Sequence, residues 1–392
     1  MAELYSLPDG WEWVEFSKIF YTPTSKPYQI QKTEYLESGL LPIIDQGKEF
    51  IIGYTNSIEK KYLNESNCII FGDHTRQIKY VDFDFVIGAD GTKILKEKDK
   101  NKYDLKFLYF QFLSKKIESL GYSRHFKLVK EMFFAIPSLE EQKRIVAKLD
   151  VLFAKIDKAI ALHQKNIDEA DIFMASILND VFVELEEKYE KKYLDEISFL
   201  IDGDRGSNYP KKEEFFENEF CLFLNAKNVT RNGFLFLEKQ FITKEKDSLL
   251  RKGKLDREDL IITTRGTIGN VAIYDKSIEF DNVRINSGMA IIRLKEKNLI
   301  YNRYIYKYLF APQFLNYLSD VQSGSAQPQI TIKNLKESIV PIPPLKTQQK
   351  VVAYLDEISN KMEKIKQIQK EKMQSLKELK ASILDKAFKG EL

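Results

Sequence analysis

The feature that most constrains this chain is a gap-free internal repeat. Residues 130–182 recur as residues 336–388, 206 positions later. Lys130-Glu131, Ile136-Pro137, Leu139, Gln142, Val146-Ala147, Leu149-Asp150, Lys155, Lys158, Ala175-Ser176-Ile177-Leu178 and Phe182 all have identical counterparts. Self-similarity at a fixed offset means one structural unit used twice, so the fold must hold two copies. Each copy opens on a β-type stretch that ends in a proline turn, FFAIPSLEEQ and SIVPIPPLKTQQ, after which proline and glycine vanish for about forty residues. A long helix per copy is predicted. From Ile145 to Phe182 it would run about 57 Å at 1.5 Å per residue.

At 3.5-residue spacing the first helix lines up Ile145, Leu149, Leu152, Ile156, Ala159, His163, Asn166, Ala170, Phe173 and Ile177. The second lines up Val351, Leu355, Ile358, Met362, Ile365, Gln369, Lys372, Leu376, Leu379 and Ile383. A sustained apolar heptad of this kind specifies a coiled coil. Both seams turn polar at the same midpoint, His163/Asn166 and Gln369/Lys372, so antiparallel pairing would bring the polar layers together and fix the register. Upstream of each helix lie short β-type runs with turn signals, CIIF and QIKYVDFDFVIG in one copy, DLIITT and NVAIY in the other. The expected class is α+β: globular domain 1–138, helix 139–190, globular domain 191–344, helix 345–392, with the two domains related by a pseudo-twofold axis.

The 61 Lys and Arg against 58 Asp and Glu leave a formal charge of +3, so bulk charge makes no case for nucleic acid. Any basic face must come from patterning. Two cysteines, Cys68 and Cys221, form no metal or disulfide framework, and no apolar run has the length of a membrane span. A cytoplasmic location is expected. No catalytic motif fits: there is no GxxxxGK[ST] loop, no Asn/Asp-Pro-Pro-Tyr tetrapeptide and no GxSxG elbow. GDRGS (203–207) and RGTIGN (265–270) carry glycines but not the GxGxxG pattern. Asp73-His74 with His125 reads as polar loop contacts rather than a metal site, and Asp90-Gly-Thr-Lys93 as a turn.

What the globular domains offer is cationic, amide and small residues gathered in loops. The first has Gln46, His74, Arg76, Lys79, Arg124, His125 and Lys127. The second has Arg205, Asn208, Lys211, Lys227, Asn228, Arg265, Asn270, Arg284, Asn286, Ser325 and Gln327. These side chains bond phosphates and base edges, so the loops are expected to contact DNA.

The motifs IIDQGKEFIIGYT, FGDHTRQIKYVDFDFVIGADGTKIL and GYSRHFK, then FLNAKNVTRNG, LLRKGKL, IITTRGTIGNVAIY, RINSGMAIIRL, GSAQPQI and IPPLKTQQ, resemble the specificity subunit of a type I DNA restriction-modification enzyme. The resemblance covers nearly the whole chain. It implies two target recognition domains that read a split DNA sequence and an antiparallel helical spacer that docks two methyltransferase subunits. Restriction-translocase subunits are further implied partners. It also implies no cofactor on this chain, with S-adenosylmethionine, ATP and Mg on the partner subunits. Half-sites would lie about one DNA turn, about 34 Å, apart. The alternatives are a DNA methyltransferase or nuclease with fused recognition domains, and a coiled-coil adaptor that binds proteins.

Overall fold

The computed structural model describes residues 5–62, 67–88, 91–121, 123–324 and 328–392. Asp90, Ser325 and Gln327 lie outside the described residues. The chain forms two compact units, one running to Gln164 and including Lys370–Leu392, the other spanning Lys165–Gln369. The division cuts both long helices near their middles, so each unit owns half of each helix. The expected helix spans, 139–190 and 345–392, each straddle this division.

Unit 1 opens with β1 (Glu12–Glu15), α1 (Phe16–Ile19) and β2 (Phe20–Tyr21). Strands β3 (Leu41–Ile44), β4 (Gly53–Thr55), β5 (Cys68–Gly72), β6 (Ile78–Val81), β7 (Val86–Ile87) and β8 (Thr92–Glu97) follow. Then come α2 (Leu105–Ser114), α3 (Phe126–Lys130), β9 (Phe133–Ile136) and the long α4 (Leu139–Lys188). Its sheets are ordered β2-β8-β5-β6, β4-β3-β7 and β1-β9.

Unit 2 repeats this plan with β10 (Lys191–Tyr193), α5 (Leu194–Ile197), β11 (Ser198–Asp202), β12 (Cys221–Leu224), the ribbon β13 (Val229–Thr230) with β14 (Gly233–Phe234), and β15 (Phe241–Ile242). After α6 (Lys244–Leu249) come β16 (Leu260–Thr263), β17 (Val271–Ile273), β18 (Val283–Ile285) and β19 (Met289–Leu294). Helices α7 (Asn302–Tyr308), α8 (Pro312–Val321) and α9 (Ile332–Glu337), strand β20 (Ile339–Pro341) and the long α10 (Leu345–Phe388) complete it. The orders β11-β19-β16-β17, β15-β12-β18 and β10-β20 match unit 1 sheet for sheet, including one parallel pair in each, β3 with β7 and β12 with β18. The repeat therefore extends through both globular parts. Among the described residues the β13-β14 ribbon and α8 have no counterpart in unit 1, and α6 stands where unit 1 has only the 3-10 turn Ile58–Lys60.

The repeated glutamines explain why the helix starts are so alike. Gln142 is fully buried; its Nε2 donates to the carbonyls of Lys102 (2.9 Å) and Pro137 (3.0 Å), and its Oε1 accepts the Asp104 N–H (2.8 Å). Gln348 does the same with Leu299 (3.0 Å), Pro343 (2.8 Å) and Tyr301 (2.8 Å). Each amide satisfies three backbone groups and staples a long helix to the globular part beside it.

In both units α4 and α10 run antiparallel. Asp157 pairs with Lys380 (2.8 Å) in unit 1, and Asp171 with Lys366 (2.9 Å) in unit 2, so partners descend on one helix as they rise on the other. Asn166 Nδ2 reaches Gln369 Oε1 at 3.4 Å, which joins two residues of the expected polar layer. The spacing departs from a strict heptad. Buried positions recur every eleven residues, Ile145, Ile156, Ile167 and Leu178, and α10 follows with Met362, Met373 and Leu384 on its inward side. Eleven residues in three turns is 3.67 per turn, close to an unstrained helix, whereas a 3.5 pattern drifts by about 20° per heptad on a straight helix. Hence Ile167 replaces Asn166 and Met373 replaces Lys372 on the inward face, while Phe173 and Leu379 are about half exposed. Leu149 and Leu355 are fully buried, Ile156 is buried, and Leu152, Ile358, Met362, His163, Gln369 and Leu376 are half-buried, as the heptad expected.

Candidate nucleic-acid interface

In both units the polar loops leave the same end of the sheets. The carboxyl ends of the parallel pair β3/β7, the end of β5 and the start of β8 bring together residues 45–47, 72–77, 88 and 91. Asp73 organises them. Its N–H donates to the Gly91 carbonyl (2.8 Å), its own carbonyl accepts the His125 N–H (2.8 Å), and its carboxylate accepts the Phe126 N–H (2.8 Å). The Thr75 hydroxyl donates to the Gln46 carbonyl, and the His74 N–H donates to Gln46 Oε1 at 3.1 Å. These bonds leave the side chains of His74, Arg76, Arg124 and Lys127 exposed.

Thr264 holds the equivalent place in unit 2. Its N–H donates to the Gly288 carbonyl (2.8 Å) and its carbonyl accepts the Ile330 N–H (2.9 Å), the two bonds that Asp73 makes with Gly91 and His125. The 202–206 loop joins because Gly203 has no side chain: a Cβ there would collide with the Asn286 carbonyl. Asp204 then accepts the N–H groups of Gly206 and Arg251, both at 2.8 Å, and those bonds hold its carboxyl below the usual range. Arg205 donates to the Ser287 carbonyl (3.3 Å) and pairs with Asp202 (3.0 Å). The result is a rim bearing exposed Arg205, Asn208, Lys211, Lys227, Arg251 and Lys252, with Arg265 and Asn286 half-buried.

Five of the expected DNA-contacting residues are instead internal braces. Lys79 is 5% exposed, and its ammonium donates to the Asp45 (2.9 Å) and Glu49 (2.5 Å) carbonyls. Burial pushes its pKa down. His125 is 1% exposed; Nε2 accepts the Leu120 N–H (2.9 Å), so the proton sits on Nδ1, 2.9 Å from the Asp73 carbonyl. Asn228 bridges Leu235 (3.1 Å) and Glu238 (2.7 Å), and Asn270 donates to Val229 (2.9 Å). Arg284 is locked to Asp247 and to the carbonyls of Lys252 (2.7 Å), Asp247 (2.8 Å) and Leu250 (3.1 Å). Each is drawn inward by loop backbone whose carbonyls would otherwise be buried unpaired.

Conversely, the sequence reading passed over Asp73 and Thr264 as hubs and Arg251 and Lys252 as rim cations. A signal existed for the last two, in the LLRKGKL motif. Among the described residues no cluster of His, Cys, Asp and Glu is disposed to hold a metal.

The sequence matches the type I restriction modification DNA specificity domain over residues 8–171 and 186–372, one stretch for each half of the repeat. The specificity subunit of the type I restriction enzyme EcoR124I/EcoR124II of Escherichia coli is 24% identical over 365 residues, 91% of this chain and 89% of that protein. The EcoKI specificity subunit of E. coli K12 is 27% identical over 297 residues, 71% of this chain and 62% of that one. By shape, a chain from a solved type I R-M system superposes with a TM-score of 0.72 at 22% identity, covering 99% of this chain and 100% of that one. The HsdS subunit of Thermoanaerobacter tengcongensis superposes at 0.50 with 21% identity, covering 99% of both chains. With both halves of the repeat inside the matched regions and the fold shared end to end, this chain belongs to the type I restriction modification DNA specificity family.

Proposed function

We propose that the chain is the DNA-reading subunit of a type I restriction-modification complex and that it recognises a split, asymmetric duplex site. The observation that carries this reading is the repeated hub. Two loop ends with one backbone plan, centred on Asp73 and Thr264, present different side chains, so each faces DNA alike and reads a different half. Residues 1–138 and 191–344 act as the two target recognition domains; residues 139–190 and 345–392 set the spacing between half-sites and carry the docking surface for methyltransferase subunits. Restriction-translocase subunits join through that assembly. The chemistry belongs to the partners, with S-adenosylmethionine, ATP and Mg bound there, and the chain itself is non-catalytic. No helix among the described residues is long and apolar enough to cross a membrane, and we place the complex in the cytoplasm.

The rim side chains His74, Arg76, Arg124 and Lys127 serve one half-site, and Arg205, Asn208, Lys211, Lys227, Arg265 and Asn286 the other. Gln46, held by the 74–75 turn, sets the first loop. Sequencing of methylated adenines in the host genome with and without this gene tests the reading. A split motif that vanishes on deletion is the expected result, and an unchanged methylation pattern in a host with active methyltransferase subunits would refute it.

A further inference from the structure

Beside the unit 1 hub lies a cavity of about 250 Å³ lined by Arg76, Gln77, Ile78, Phe112, Leu113, Lys115 and Ile117. Two of its lining side chains are cations and none is an acid. Arg76 takes a left-handed backbone conformation (φ 62°) at the end of the β5–β6 turn, and its Nη1 donates to the Ile117 carbonyl at 3.0 Å. That single bond leaves most of its five donors unused. Lys115 follows the last residue of α2, and its ammonium lies 5.7 Å from the Trp13 ring centre and 5.2 Å from that of Phe134. Aromatic faces attract a cation but accept no conventional hydrogen bond, so the ammonium's donors are not met by a carboxylate. Burial pushes its pKa down to about 8. The wall of this one cavity therefore carries a half-buried Lys115 and an exposed Arg76, neither paired with a carboxylate among the described residues, at the edge of the reading loops, an arrangement that suits an oxyanion.

We propose that Arg76 and Lys115 form a phosphate-binding cleft that takes one backbone phosphate of the bound duplex. The cleft rests on the DNA-reading function above and adds to it a division of labour: Arg76 anchors the duplex while its neighbours on the loop read bases. A phosphate contact fixes register and carries no sequence information, so its loss weakens all duplexes alike.

The test measures binding of the full chain to a mixed-sequence duplex and to a duplex carrying its mapped motif, across a salt series. In the double variant R76Q/K115M the slope of log affinity against log salt should become shallower by about 0.9, the value of one neutralised phosphate. Affinity should fall by the same factor on both duplexes, and K115R should restore what K115M removes. At constant ionic strength, inorganic phosphate should compete with the duplex for the wild-type chain and less for the double variant. An unchanged slope in the folded variant, or a loss confined to the motif duplex, overturns the cleft. Phosphate that binds at Lys115 without displacing duplex overturns it too, because the occupant is then a free anion. If K115M does not fold, R76Q alone gives the same readout from an exposed side chain. Failure of the wild-type chain to bind any duplex would refute the DNA reading itself and the cleft with it.

Discussion

In unit 1 one face of the three-stranded sheet is apolar out to its β7 edge: Val86 on β7 is fully buried against Ile43 and the buried Ile30. In unit 2 the strand register puts Arg284 on β18 at the equivalent place, and its guanidinium is buried against Asp247, which α6 supplies. At the place of α6, unit 1 has only the short 3-10 turn Ile58–Lys60 among the described residues. One topology thus tolerates either filling, hydrocarbon or a satisfied ion pair, provided that a counter-charge comes with the charge. The hubs show the same latitude. Asp73 receives the 125–126 turn with its carbonyl and its carboxylate, whereas Thr264 receives the matching turn with its carbonyl alone, and Asn334 takes the Thr331 N–H instead (2.9 Å). What is shared is the backbone plan, and the side chains that hold it are free to differ.

The comparison breaks most visibly at Arg284. Replacing it with valine, the residue of unit 1, should destabilise unit 2 by about 3 kcal/mol, because Asp247 loses one of its two cationic partners and the carbonyls of Lys252 and Leu250 lose theirs. The double variant R284V/D247L should cost less than R284V alone. Hydrogen exchange in β12 and β18, against unchanged exchange in β3 and β7, measures both. Burial works against the Asp247 carboxylate, while Lys254 and Arg284 more than offset it and lower its pKa. Its contribution is therefore present above the unfolded carboxyl value of about 3.9 and is lost as pH falls through the lower folded value, a dependence that R284V should weaken. A cost below about 1 kcal/mol would mean that the valine of unit 1 and the arginine of unit 2 are interchangeable as they stand.

The glutamine staples sharpen the comparison from the other side. Gln142 and Gln348 make the same three bonds, so Q142A and Q348A should cost nearly the same, about 2 kcal/mol each, and each should loosen the first turns of its own helix. Unequal costs, read by urea unfolding followed by hydrogen exchange at the two helix starts, would show that the repeat is equivalent in geometry and not in energy.

These staples also mark how far the sequence could be read. Gln142, Leu149 and Phe182 stood out because the repeat preserves them, and all three are buried. The helices were legible through missing proline and glycine. The sheet plan was not, because strands such as Phe20–Tyr21 and Val86–Ile87 are two residues long and show no alternation to read. The rim was half legible for a different reason. Arg, Asn and Lys in a glycine-bearing loop suit a DNA surface and a buried brace equally well, and only the position of the nearby carbonyls decides between them: Arg284 finds three, whereas exposed Arg124 stands clear.

The smallest effect tests the helix period. A heptad places Lys372 on the inward face, and the eleven-residue pattern places Met373 there, half-buried, one step after Met362 and one before Leu384. The difference is only one residue of phase, yet it rotates the side chain by about 100° around the helix. Lys372 is exposed, so K372A should change the stability of unit 1 by no more than about 0.5 kcal/mol. M373A, which removes apolar contact, should cost about 1 kcal/mol, less than a fully buried methionine because part of that side chain already meets solvent. Thermal melts of the two variants beside the wild type measure the pair. The reverse order, K372A costlier than M373A, would restore the 3.5-residue seam and require α10 to be wound more tightly than its buried positions show.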